Sequence, residues 1–160
     1  MRKMLAGSAI LLVAAMVWIQ GVVGAEVKWL RLKPARAGES VAIRVAGKAS
    51  AYQRVAAGKP MELTVTGPTK VKLYVRCAVP SGAVVKVPYA LSIGIDGKPA
   101  GTRKGSALPS RRASFEKPGK LSPGDADRFY VEIPAGKHAI QVASSDPAMC
   151  VDVKAYRPVR

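Results

Sequence analysis

The feature that most limits what this chain can become is a two-residue alternation of apolar side chains, recurring from residue 41 towards the C-terminus. Val41, Ile43 and Val45 alternate with Ala42, Arg44 and Ala46. Met61, Leu63 and Val65 alternate with Glu62, Thr64 and Thr66, and Val71, Leu73, Val75 and Cys77 with Lys70, Lys72, Tyr74 and Arg76. The same period runs through residues 85–95, 128–133 and 149–154, and residues 27–32 form a further candidate. Successive side chains of a strand point to opposite faces, so this pattern hides one row and shows the other to water. An amphipathic helix needs apolar residues three and four apart. Beyond residue 25 almost no segment offers that spacing.

Turn chemistry separates the runs: Gly47-Lys48, Gly58-Lys59-Pro60, Gly67-Pro68, Pro80-Ser81-Gly82, Asp96-Gly97 and Pro134-Ala135-Gly136. Asp96-Gly97 is the strongest two-residue hairpin signal among them. Pro88 removes a ladder donor, which predicts an edge or a bulge there. About eight or nine strands in one domain, residues 26–160, predict an all-β, antiparallel β-sandwich, with an open β-barrel as the alternative. Ala57-Gly58-Lys59 and Ala135-Gly136-Lys137, each a few residues after a Tyr, suggest either two related β-units or common turn chemistry.

At Ile133-Pro134-Ala135-Gly136-Lys137-His138-Ala139-Ile140-Gln141-Val142, and at Asp96-Gly97-Lys98, the chain resembles hairpins of bacterial exported β-modules, PEGA-type surface domains among them. The resemblance implies a small envelope-associated accessory domain without catalytic residues.

The N-terminus reads as an export signal. Arg2 and Lys3 precede an uncharged run from Met4 to Ile19, and Val23-Gly24-Ala25 places small residues where a signal peptidase reads. Residues 1–25 are expected to be a signal peptide cleaved after Ala25, leaving a periplasmic or extracellular protein. The alternative is an uncleaved inner-membrane anchor. Loss of Arg2 and Lys3 lowers the formal charge from +16 to +14. Such an excess favours anionic partners, and export disfavours nucleic acid as the reason for it. Cys77 and Cys150 are an even pair in an oxidising compartment, which predicts a disulfide, although strict alternation sets them on different faces.

Catalytic chemistry is scarce. His138 is the one histidine, at the start of a strand, and no nucleophile elbow accompanies it. One His and two cysteines do not make a typical zinc set. Asp125 and Asp127 lack the further oxygens that calcium needs, and no Walker-type phosphate loop occurs. No enzyme, cofactor or metal is expected. The stretch at residues 97–120 carries Lys98, Arg103, Lys104, Arg111, Arg112, Lys117 and Lys120 against Glu116. It reads as a basic loop whose Arg103, Lys104, Arg111, Arg112 and Lys117 would hold sulfate, phosphate or carboxylate. Lys70, Lys72, Tyr74 and Arg76 form a second basic strip, in which Tyr74 could meet a sugar ring. The expectation is a non-catalytic binding or accessory domain docking an anionic envelope component: acidic glycan, cell-wall polymer or lipid headgroup. The alternative is a structural subunit of an envelope or secretion assembly. It would pair with an envelope protein through a strand near Pro88 or through residues 151–156.

Overall fold

A computed structural model describes residues 26–146 and 149–159, so the signal-peptide expectation for residues 1–25 lies outside the described residues. Nine strands form: β1 (Trp29–Arg31), β2 (Ser40–Val45), β3 (Lys48–Val55), β4 (Met61–Pro80), β5 (Val87–Ile95), β6 (Lys98–Ala107), β7 (Ala113–Phe115), β8 (Leu121–Ser144) and β9 (Val151–Pro158). All pairings are antiparallel. The order is β6-β5-β8-β4-β9-β3-β2-β7, with β1 on β9, and the sheet does not close into a barrel. The architecture is the β-sandwich that alternation predicts.

Strands β4 and β8 are its frame. They pair from Met61↔Val142 to Pro80↔Leu121, with an irregularity between Gly67 and Thr69. The first half of β4 lies with the end of β8, which also carries β5. The second half lies with β9 and the start of β8. At the join, a Cβ on Gly67 would stand 1.8 Å from the Pro134 carbonyl oxygen. Only glycine lets the two backbones come this close. Gly67-Pro68 and Pro134-Ala135-Gly136, expected as turns, are therefore corners inside two continuous strands. The PEGA-like hairpin expected over residues 133–142 is likewise part of one strand, β8.

The alternating row builds the core. Met61, Leu63, Val65, Val71, Leu73, Val75, Cys77 and Val79 of β4 join Leu91, Ile93, Val131, Ile133, Ile140, Val142, Val151 and Val153 in one buried cluster. Burying each large side chain contributes roughly 1.5–3 kcal/mol. Two hairpins close on two-residue turns with both central φ angles positive: Ala46 (+47°) and Gly47 (+82°) between β2 and β3, Asp96 (+52°) and Gly97 (+75°) between β5 and β6. That is the type I′ pattern, whose twist matches the strands it joins. The Asp96 carboxylate accepts from the Ala139 amide at 2.8 Å and lies 2.7 Å from His138 Nδ1, clasping this turn to β8. Each raises the other's preference for charge: His138 titrates higher and Asp96 lower than usual.

Three further expectations change. Residues 97–120 are not a loop: Lys98–Ala107 is strand β6, paired with β5, and Ala113–Phe115 is β7. Strand β9 is interior, with β4 on one side and β3 and β1 on the other, so residues 151–156 have no free edge to offer a partner. Cys77 and Cys150 are free thiols. Register sets Cys77 opposite Val151, so Cys150, one residue earlier, falls out of step with it. Burial pushes the Cys77 thiol up to about 12, which makes it a poor nucleophile. The Pro88 expectation holds locally: β8 joins the second side of β5 only from Leu91 onward.

Candidate functional site

The row of β4 that faces away from the core carries Lys70, Lys72, Tyr74 and Arg76. Register decides what surrounds it. Lys72 stands between Tyr156 of β9 and Tyr130 of β8; Tyr74 stands between Lys154 of β9 and Arg128 of β8. Each cation thus has tyrosines at its sides, and each tyrosine has cations. Strand β3 extends the pattern with Tyr52, and β1 brings Trp29 against Tyr130, ring centroids 6.2 Å apart. Lys154 Nζ lies 4.2 Å from the Tyr52 ring centroid and 5.5 Å from that of Tyr74. Lys72 Nζ lies 4.0 Å from Trp29 and 5.3 Å from Tyr156. Arg128 lies 5.6 Å from Tyr74. These distances are within the reach of cation–π attraction.

The site is cationic beyond what its acids neutralise. Arg54 holds Asp152 through Nε at 2.9 Å and Nη2 at 3.1 Å, and Lys70 holds Glu132 at 2.9 Å. Among the described residues, Lys72, Arg76, Arg128 and Lys154 have no carboxylate within ion-pair distance. Arg76 is buried; it donates to the Gly124 carbonyl at 2.7 Å and to the Tyr52 hydroxyl at 3.4 Å. Burial, together with Arg31 and Arg76, lowers Lys154 to about 8, and burial and Arg128 lower Lys72. Burial raises Asp152 despite Arg54. Lys154 Nζ donates to Ser50 Oγ at 2.9 Å. Tyr52, Tyr74, Tyr156, Lys72, Arg76, Arg128 and Lys154 line one open groove of about 590 Å³.

The cations of residues 97–120 are distributed over three places rather than one. Arg103 and Lys104 lie on β6 opposite Leu91 and Ala90; Arg111 and Arg112 lie in the β6–β7 connection beside Gly47; Lys117 follows β7 and lines a second groove with Arg54 and Phe115. Of the five, Arg103 touches the tyrosine face, donating from Nη2 to the Tyr130 carbonyl at 3.2 Å. Strands β6 and β7 end the sheet order. Lys98, Arg103 and Lys104 on such an edge discourage pairing with another chain. The signal that would have found the groove is a repeated cation-x-Tyr on the polar phase: Lys72 and Tyr74, Arg128 and Tyr130, Lys154 and Tyr156.

No family model matches the chain, and no curated protein matches it. Solved structures do. The Agl-KA catalytic domain matches with a TM-score of 0.51 at 13% identity, over 84% of this chain and 28% of that one. A carbohydrate-binding module, CBM36, in complex with calcium and xylotriose, matches with a TM-score of 0.47 at 11% identity, over 83% of this chain and 100% of that one. A family 35 carbohydrate-binding module from Clostridium thermocellum matches with a TM-score of 0.44 at 16% identity, over 82% and 98%. At 13% identity the likeness to the Agl-KA domain is one of fold alone. Among the described residues no group of three or more His, Cys, Asp or Glu could hold a metal ion, and no helix is long and apolar enough to cross a membrane.

Proposed function

We propose that this protein is an exported, non-catalytic glycan-binding domain, and that the tyrosine–cation groove takes acidic glycans. The observation that carries the reading is the placement of Lys154 and Lys72 among tyrosine and tryptophan rings without a carboxylate. Aromatic faces accept the apolar faces of sugar rings, and desolvated cations reward a carboxylate or sulfate on them. A neutral glycan would leave those cations buried beneath it without compensation. Arg103 stands at the rim, and Lys104, Arg111, Arg112 and Lys117 add to the field that attracts the polymer.

The test is titration calorimetry with polygalacturonate and with a neutral xylan. Binding to the acidic polymer alone, weakening as salt rises, is expected. Lys154→Gln should lower that affinity roughly tenfold, on the scale of one charge-assisted hydrogen bond. Equal affinity for both polymers, or an unchanged Lys154→Gln, would exclude the reading.

The pH dependence follows from Lys154. It titrates at about 8, so the groove loses a charge as pH rises through that value. Affinity for polygalacturonate should be constant from pH 6 to 7 and fall above 8. An anion bound beside Lys154 raises its pKa, so binding near pH 8 takes up a proton. Calorimetry in two buffers of different ionisation enthalpy reads that proton directly. Lys154→Gln should abolish both the uptake and the fall.

A further inference from the structure

We propose that the loop between β4 and β5 is a membrane-docking tip, independent of the groove, that inserts Val84 and Val85 into an anionic bilayer surface. These two valines are the most exposed large apolar side chains among the described residues, at 89% and 74%. They are consecutive, so no strand pairing could hide both on one face. Leu121, 43% exposed, pairs with Pro80 at the base of the same loop. A partial collar of cations flanks the apolar point. Lys86 follows Val85 in sequence, Arg111 lines the same depression as Val84, and the Lys120 carbonyl accepts from the Ser81 amide at 3.0 Å. No acidic residue occurs in residues 80–86, 108–112 or 117–122; the neighbouring Glu116 is engaged by Arg44 at 3.7 Å, and a further exposed acid, Asp125, adjoins Leu108, its amide donating to the Leu108 carbonyl at 3.0 Å.

An exposed apolar point flanked by cations matches the layering of a bilayer surface. Acyl chains lie beneath, and anionic headgroups lie level with the collar. The patch is also small. Two valines and a leucine do not approach the roughly 800 Å² per partner of a stable protein interface. Insertion needs no such area, because the charge and apolar contributions act together.

The experiment is co-sedimentation of the chain, in the form the cell makes it, with vesicles of phosphatidylglycerol and phosphatidylcholine or of phosphatidylcholine alone. The comparison is with the Val84→Asp, Val85→Asp double variant in the same form. This cancels any contribution from residues 1–25. Partition onto the anionic vesicles should fall at least tenfold in the double variant, with polygalacturonate affinity and urea midpoint unchanged. Lys86→Glu with Lys120→Glu should remove the preference for phosphatidylglycerol. Partition unchanged in the double variant would overturn the proposal. So would equal partition of the wild type onto both vesicle types, or capture of a discrete envelope protein through Val84 and Val85 with no vesicle binding.

Discussion

Gly67→Ala is expected to cost more than about 4 kcal/mol, a large part of the roughly 5–15 kcal/mol that holds a typical domain folded. The added Cβ would stand 1.8 Å from the Pro134 oxygen, 2.7 Å from the Ile133 oxygen and 2.8 Å from the Pro134 carbonyl carbon. All three are backbone atoms, so no rotamer change relieves the overlap. The backbone itself has to move, and it is held on both sides: Thr66↔Lys137 before the corner, Thr69↔Ile133 after it. Moving it parts the two strands that carry most of the core. Gly82→Ala is the control. Its Cβ would meet nothing within 4 Å, and its effect should stay within about 0.5 kcal/mol. Urea unfolding followed by circular dichroism measures both. A loss below about 1 kcal/mol for Gly67→Ala would mean that β4 and β8 do not meet at this corner.

That corner also marks where sequence reasoning stops. Alternation identifies strands whose two faces differ, and β2, both halves of β4 and most of β5 show it plainly. It says nothing about β6. Nearly every residue from Lys98 to Gly105 is exposed, so neither row is apolar, and Gly101, Lys104 and Gly105 read as loop chemistry. Gly67-Pro68 and Pro134-Ala135-Gly136 mislead for a different reason. Glycine and proline mark any sharp change of backbone direction, and a bent strand needs them as a turn does. Which of the two it is depends on the partner strand, and pairing is a tertiary fact.

The groove was legible one strand at a time. Tyr74 and Lys72 stand out because they interrupt an apolar run on its polar phase. Their neighbours Tyr130, Arg128, Tyr156 and Lys154 come from β8 and β9, more than fifty residues further along the chain. A one-residue slip of either ladder would turn those side chains into the core. The basic stretch at residues 97–120 drew attention for its charge alone. Net charge measures attraction at a distance, whereas a site needs cations that converge and lack acids. Lys154 and Lys72 meet that condition; Lys104 and Lys117 lie on separate elements.

Asp152→Ala is expected to cost about 3–5 kcal/mol, the scale found when one member of a buried ion pair is removed. Asp152 is 0% exposed, and it sits in register between Arg54 of β3 and Arg76 of β4. Its carboxylate takes two hydrogen bonds from Arg54, and it shares the outward row of β9 with Lys154, which lines the groove. Without it Arg54 and Arg76 face each other across β9 with no anion between them, and Lys154 stands two residues further along the same row. The pair itself is worth far less than its disruption, because desolvation of the buried carboxylate consumes most of its attraction to the half-buried Arg54. Replacing both members, Arg54→Met with Asp152→Leu, should therefore recover most of the lost stability. Polygalacturonate should rescue Asp152→Ala in part, since a bound anion supplies charge to the same row and stabilises the folded state by mass action. Denaturation midpoints of the three variants, with and without polygalacturonate, separate these contributions. A loss below about 1 kcal/mol for Asp152→Ala, or a double replacement as unstable as the single, would show that Asp152 does not hold the cationic floor of the groove together.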